Sequence, residues 1–518
     1  MVRSLARHGS LLSLLTLASR VLGLFREMVK AGFLGTTALS DAFSVAFLIP
    51  NLFRRLFAEG SIAVAFIPTF KAYLLEGDKA AIREFLSCIW TFLTFFVTLA
   101  VLAGMLCTPG FMPLFNMEKD LFDETVFLTR LMFPFLGFIS LAALFQGILN
   151  SLRIFTPSGL APILLNIATI GAAFLLSPFT ANPARAMALG ILAGGFLEAA
   201  VQLPFILRKG YALCFVGIKR ALRNPGTRKV LRLIGPTIIG MAAYQVNDVV
   251  STALARGIGE GVASSLQYSL RLQELFLGVF AVSIGTVLLP DLAEYAKSAQ
   301  WETYNRQLES AIHVIALITV PATFFFLAHG EYLIRLLFQI RSFGEESVRL
   351  TLSAFTFHIP GLFFIALNRI LAPAFYAHSD SKSPSLSGII SFGVNIALAF
   401  ALSGPMGGAG IALALSVAGG VNTGLLFWFL KKNPRVAVGK MAQSAGFYTL
   451  KLSVLSVLAL LPTQFLMPVV VSLCKGRNRF VAYGLPLGIT ALLYGALGFL
   501  LLVITKTAGG GRQPPAVS

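Results

Sequence analysis

The sequence predicts an all-α polytopic membrane protein of about fourteen transmembrane helices, and three observations predict it. Hydrophobic residues make up 56% of the 518 and charged residues only 12%, with a mean hydropathy of +0.81. A soluble chain needs more polar surface than this to cover its core. Forty-six Phe and 47 Gly suit helices that pack closely in lipid. Finally, apolar runs long enough to cross about 30 Å of hydrocarbon recur from end to end.

Those runs fall near 11–34, 38–58, 86–108, 124–149, 158–179, 185–207, 230–255, 263–289, 308–328, 349–376, 384–403, 407–430, 446–473 and 481–504. The stretch 59–75 reads as an extension of the second helix past the membrane interface. The opening MVRSLARHGS is polar and basic, and the run behind it carries arginines instead of a small-residue cleavage site. No cleaved leader is therefore expected. An even number of spans puts both termini on one side. With both in the cytoplasm, inside loops and ends collect about 23 Lys and Arg against about 9 outside, as the positive-inside rule requires. Lys475, Arg477 and Arg479 stand against this assignment, but late loops weigh less in setting topology.

The net charge of +19 does not indicate a nucleic-acid partner, because it sits in short loops and inside helices. Its densest cluster is Arg208, Lys209, Lys219, Arg220, Arg223, Arg228, Lys229 and Arg232, which is expected to lay a surface helix on anionic lipid. Cys88, Cys107, Cys214 and Cys474 are scattered with no C-x-x-C pair. They give neither a disulfide framework nor a metal site, and read as packing residues.

The basic linker also divides the chain, and a weak repeat supports the division. SIAVAFIPTFKAY (Ser61–Tyr73) is echoed by SIGTVLLPDLAEY (Ser283–Tyr295), and TPSGLAPILLNIA (Thr156–Ala168) by SPSLSGIISFGVNIA (Ser383–Ala397). Two matches in the same order favour a duplicated six-helix unit over coincidence. Transporters built from such repeats place their substrate where the repeats meet. The expected organisation is an N-terminal lobe at 1–207, a cytoplasmic linker at 208–229 and a C-terminal lobe at 230–432. Two extra helices follow at 440–505, then a Gly/Pro-rich disordered tail at 506–518.

The informative residues are ionisable groups inside apolar spans, where each charge costs about 2.5–3.5 kcal/mol unless it meets water or a partner. Arg20, Arg26, Glu27 and Lys30 fall within one arc of the first helix. Asp41, Ser44, Asn51, Arg55 and Glu59 form one stripe of the second, with Arg54 pointing away. Span 230–255 carries Tyr244, Asn247, Asp248 and Ser251, and span 263–289 carries Ser264, Gln267, Arg271 and Glu274. Such stripes are expected to face a wet central cavity. Glu27, Glu59 and Glu274 read first as counter-ions to neighbouring arginines, and Lys30 either lines the cavity or snorkels to headgroups. Arg20, Arg26 and Arg271 point to an anionic ligand, because the guanidinium fork grips phosphate oxygens and stays charged. Asp248 and Asn395 are either a cation site or helix-packing groups. His313 and His358 read as packing residues.

No enzyme signature is present: no H-E-x-x-H, no G-x-x-x-x-G-K-[ST], no G-x-S-x-G. Instead SRVLGLFRE (Ser19–Glu27) and SDAFSVAFLIPNLFRRLFAEG (Ser40–Gly60) resemble the N-terminal signature of the MurJ/MviN lipid II flippases. These belong to the multidrug/oligosaccharidyl-lipid/polysaccharide exporter superfamily. The resemblance continues through QGILNSLRIFTPS, LRLQELFLGVFAVSIGTVLLP and FYAHSDSKSPS (Phe375–Ser385).

This resemblance implies two six-helix lobes forming a V-shaped central cavity, with two C-terminal helices making a groove for a lipid tail. It implies alternating access that carries undecaprenyl-pyrophosphate-linked peptidoglycan precursor from the cytoplasmic to the outer leaflet. By motif position the cavity charges fall on Arg20, Arg26, Asp41, Arg54 and Arg271, with Glu27 and Glu59 beside them. A family sodium site maps only in part onto Asp248 and Asn395, so Na⁺, H⁺ or the membrane potential alone all stand as sources of coupling. The expected protein is no enzyme and needs no cofactor. It is a multi-pass monomer of the bacterial inner membrane, with the bilayer and lipid II as partners and cell-wall synthesis proteins as further ones. The rival readings are a flippase for another polyprenyl-linked glycan, a drug or cation antiporter of the same superfamily, and a non-transporting scaffold for cell-wall synthesis. An antiporter for cationic drugs would want acidic walls.

Overall fold

A computed structural model describes residues 2–57, 61–116, 118–377 and 380–505. Glu59, the side chain of Tyr244 and the tail at 506–518 lie outside the described part. The chain forms two compact units, Met1–Ser264 and Ser265–Ser518.

The first unit holds α1 (Val2–Leu34), α2 (Ala38–Phe57), α3 (Ser61–Glu76), α4 (Lys79–Phe111), α5 (Lys119–Met132), α6 (Pro134–Ser151), α7 (Thr156–Leu175) and α8 (Pro183–Ala200). It continues with the short α9 (Leu203–Arg208) and α10 (Ile218–Arg223), then α11 (Pro225–Ile258). Helix α12 (Val262–Lys297) starts here and runs on into the second unit. That unit adds α13 (Trp301–Phe338), α14 (Glu345–His358), α15 (Gly361–Tyr376), α16 (Lys382–Met406), α17 (Gly408–Leu430), α18 (Val438–Leu473) and α19 (Leu485–Ile504). No strand occurs among the described residues.

Local sequence sets the helix starts. Asp78, Asn182 and Asn224 accept the Ala80, Arg185 and Thr227 amides at 2.8, 3.0 and 3.1 Å, capping α4, α8 and α11. Pro183 and Pro225 follow two of these caps at the first helical position, where a missing N–H costs nothing.

Among the described residues nine helices are long and apolar enough to cross a bilayer, ten if α14 and α15 make one span. Helix α2 is not among the nine, because Asp41, Arg54 and Arg55 crowd its twenty residues. Many large apolar side chains face outward, among them Leu106, Phe179, Phe447, Phe465 and Leu492. A surface of this kind is stable only against lipid. The protein is an all-α, multi-pass membrane protein.

One span departs from expectation. Residues 349–376 read as one helix, but α14 and α15 are bent 48° at Ile359 and Pro360. Pro360 lacks the N–H that would continue the helix, and its ring clashes with the preceding turn.

Close packing follows small residues. A Cβ on Gly190 would fall 2.8 Å from the Thr169 Cα, and one on Gly194 2.8 Å from the Leu165 Cα, so α7 and α8 touch backbone to backbone. Both segments of the second repeat open helices, α7 and α16, and each packs along the next helix, α8 and α17. The first unit's core is aromatic. Phe66, Phe70 and Phe85 are fully buried, and Tyr73 stacks on Phe85 at 4.6 Å. Cysteine is only half as expected: Cys88 and Cys474 are buried, but Cys107 and Cys214 are exposed. Cys107 faces outward from the apolar helix α4, where a thiol is as tolerable as a methyl group.

Candidate functional site

In the first unit the charges of α2 are brought together with partners on α11. Asp41 is completely buried. It accepts three hydrogen bonds of 2.8 Å, from Arg256 Nη1, the Gly261 amide and the Ser264 amide. The last two donors open α12, so Asp41 caps a helix from another part of the chain and faces its positive end. Beside this clamp, Glu260 accepts the Ala38 amide at 2.7 Å. Arg256, with 8% of its side chain exposed, was missed by sequence reasoning. An arginine near the end of an apolar run looks the same whether it snorkels or pairs.

The clamp depends on Gly261. Its φ is +77°, and a Cβ there would stand 2.2 Å from the Thr36 carbonyl oxygen. Gly261→Ala is expected to cost at least about 2 kcal/mol, from left-handed strain plus the collision. The fall in melting temperature of the purified protein would measure it, and an unchanged value would show that the turn can move aside.

Further along the same seam, Arg55 Nη1 donates to Asp248 Oδ2 at 3.0 Å and to Gln245 Oε1 at 3.4 Å. Gln245, Asp248 and Arg256 share one face of α11. The stripe expected to face water is thus, at its Asp41 end, a buried seam between helices. Arg54 Nε donates to Asn51 Oδ1 at 2.8 Å within α2. Asp248 is thus engaged by Arg55, with 37% of its side chain exposed. Asn395 is buried in α16, in the other unit.

On α1, Arg26 Nη2 meets Glu27 Oε1 at 2.7 Å, with 17% and 11% of the side chains exposed. Glu27 thus stands as the counter-ion of Arg26. Lys30 does not snorkel: it is 6% exposed, donates to Ser44 Oγ at 3.0 Å and lies 5.6 Å from the Phe43 ring. Arg20 is half-buried on the same helix, one residue beyond Ser19, whose carbonyl accepts from Asn166 Nδ2 at 3.2 Å.

In the second unit, Arg271 Nη1 meets Glu274 Oε2 at 3.1 Å on α12, with 42% and 50% of the side chains exposed. A half-exposed ion pair on a largely apolar helix marks a face that water or a polar ligand reaches. His313 contacts Ser444 at 3.2 Å, and His358 contacts Ser269 at 2.6 Å. In the same unit a cavity of about 480 Å³ is lined by Phe276, Phe325, Phe326, Leu487, Ala491 and Tyr494. Its wall is apolar, and the Tyr494 hydroxyl donates to the Pro321 carbonyl at 2.9 Å. Among the described residues no group of three or more His, Cys, Asp or Glu is placed to hold a metal ion.

Glu124 accepts from Arg185 Nη2 at 2.6 Å and from Asn182 Nδ2 at 2.9 Å, which ties α5 to the start of α8.

The sequence profile of the family described as lipid II flippase MurJ matches residues 30–489. The chain belongs to the MurJ lipid II flippase family. A probable lipid II flippase MurJ of Treponema pallidum is 43% identical, over 97% of this chain and 96% of its own length. The lipid II flippase MurJ of Burkholderia cenocepacia is 34% identical, over 80% and 82%. Among solved structures, a lipid II flippase MurJ in an inward closed conformation superposes with a TM-score of 0.79. It is 24% identical and covers 96% of this chain and 99% of that one. An inward-facing multidrug resistance MATE transporter of the MOP superfamily gives 0.67 at 12% identity, over 82% and 96%. These two structural likenesses bear on the fold alone.

Proposed function

We propose that this chain is a lipid II flippase, moving the lipid-linked peptidoglycan precursor across the inner membrane. It is a transporter and performs no covalent chemistry. The observation that carries the reading is membership of the MurJ family over most of the chain. The placement of Arg26 and Arg271 within long helices of a multi-pass membrane protein supports it, each with a glutamate partner within one turn.

The finer architecture we infer is fourteen spans in two six-helix lobes around a V-shaped cavity, with two C-terminal helices and both termini in the cytoplasm. Arg26 and Arg271 grip the pyrophosphate, with Arg20 and Arg54 adding to the positive field. Glu27 and Glu274 hold the arginines in place until the pyrophosphate displaces them. The buried Asp41 is structural in this scheme and fixes α2 against α11 and α12. Part of the undecaprenyl tail lies against the apolar cavity beside α19, which is lined by aromatic and aliphatic side chains. An inside-negative potential contributes about 2.3 kcal/mol per charge per 100 mV to moving such an anion outward, so the potential is one source of coupling beside Na⁺ or H⁺.

The test is lipid II exposure at the outer face of cells depleted of their own flippase. Expression of this chain is expected to restore cleavage of lipid II by an externally added lipid II-cleaving toxin. Restored growth without restored cleavage, or neither, would overturn the reading.

A further inference from the structure

Helix α12 carries two kinds of polar residue on opposite faces. Successive residues turn about 100° around the axis, so Ser269 and Gln273 share a face and Arg271 lies roughly opposite both. Ser269 and Gln273 are 0% and 2% exposed. They meet the α14–α15 break. Ser269 Oγ and His358 Nδ1 share a hydrogen bond of 2.6 Å, and Gln273 Nε2 donates to the His358 carbonyl at 2.5 Å.

The break makes these contacts available. With no N–H on Pro360, the chain turns between α14 and α15, and the Leu362 amide bonds Ile359 O at 2.9 Å. Carbonyls that a continuous helix would have used internally are turned toward side-chain donors. Ser416 Oγ of α17 donates to the Phe357 carbonyl at 2.5 Å, and Gln273 serves the next one. The break packs closely on α17, since a Cβ on Gly361 would stand 2.9 Å from the Ser416 Cα. On the same side of the helix, Leu266 and Leu277 are buried by apolar packing. Apolar packing tolerates small rotations, whereas hydrogen bonds weaken steeply with angle.

We propose that Ser269 and Gln273 are positioning residues that set the rotation of α12 through the buried His358 at the α14–α15 break. They thereby aim Arg271 at the pyrophosphate. The proposal rests on the reading of Arg271 as a pyrophosphate contact. The leverage is large. At a radius of about 6 Å, a rotation of about 30° moves a side chain by about 3 Å, well beyond the roughly 0.5 Å that a preorganised site tolerates.

The experiment has two arms, both on full-length protein at matched expression. In the first, Arg271→Cys is placed in a chain whose four cysteines are replaced by alanine, and its modification by a water-soluble anionic thiol reagent is timed. Adding Gln273→Leu or Ser269→Ala is expected to change that rate at least fivefold, while Ser269→Thr, which keeps the hydroxyl, restores it. In the second, lipid II affinity is measured with Arg271 intact, and Gln273→Leu is expected to weaken it about tenfold. Should Gln273→Leu unfold the protein, Ser269→Ala carries both arms with a smaller excision. Unchanged labelling overturns the proposal, and so does unchanged affinity in Gln273→Leu where Arg271→Ala weakens it. Changed labelling with affinity unmoved by either variant upholds the orienting role and removes pyrophosphate as its target.

Discussion

Asp41→Ala is expected to destabilise the protein by about 3–5 kcal/mol and to abolish flipping, because it leaves a buried guanidinium without its carboxylate. Arg256 keeps only 8% of its side chain in contact with solvent. The two amides at the start of α12 lose their acceptor at the same time. Asp41→Asn should be nearly as damaging. Both carboxylate oxygens accept, so an amide must turn its NH₂ toward a donor on one side or the other. Arg256→Met should be milder, since Asp41 keeps both backbone donors and the methionine fills the same space. Adding Arg256→Met to Asp41→Ala should recover part of the loss. Melting temperatures of the four variants, with lipid II exposure scored alongside, give the ordering. If Asp41→Asn melts like wild type, the three-donor clamp is not what holds this corner together.

Composition and hydropathy made the membrane class legible, because lipid imposes a length on apolar runs. The bend at Pro360 was not. Proline is common in these helices, and whether it breaks one depends on donors such as Ser416 and Gln273 that lie 56 residues downstream or 87 upstream of it in the chain. The same distinction governs the site. Glu27 as partner of Arg26, and Glu274 of Arg271, follow from positions within one turn. Arg256 as partner of Asp41 requires knowing that residues 215 apart meet. Helical periodicity grouped Asp41 and Arg55 on one side of α2 but could not say whether water or α11 covers them. Lys30 shows the same limit. A lysine four residues from a helix end is within reach of headgroups, and only the placement of Ser44 fixes it inside.

Arg26→Ala and Arg271→Ala are each expected to weaken lipid II binding roughly 10- to 100-fold, the equivalent of losing one or two hydrogen bonds to a charged group. Lysine at either position should recover only part of this, since it keeps the charge but not the fork that spans two phosphate oxygens. The counter-ions predict the opposite sign. With Glu27→Gln, Arg26 no longer has a carboxylate to exchange for phosphate, so affinity should rise. Release should slow for the same reason, and net flipping should fall even though binding improves. Glu274→Gln should do this more weakly, because the Arg271–Glu274 pair is half-exposed and screened by water, while the Arg26–Glu27 pair is largely enclosed. Binding to purified variants together with toxin-scored lipid II exposure in depleted cells separates the two effects. Glutamine variants that bind and flip like wild type would mean that these carboxylates merely solvate their arginines. Alanine variants that do so would mean that the pyrophosphate is held elsewhere.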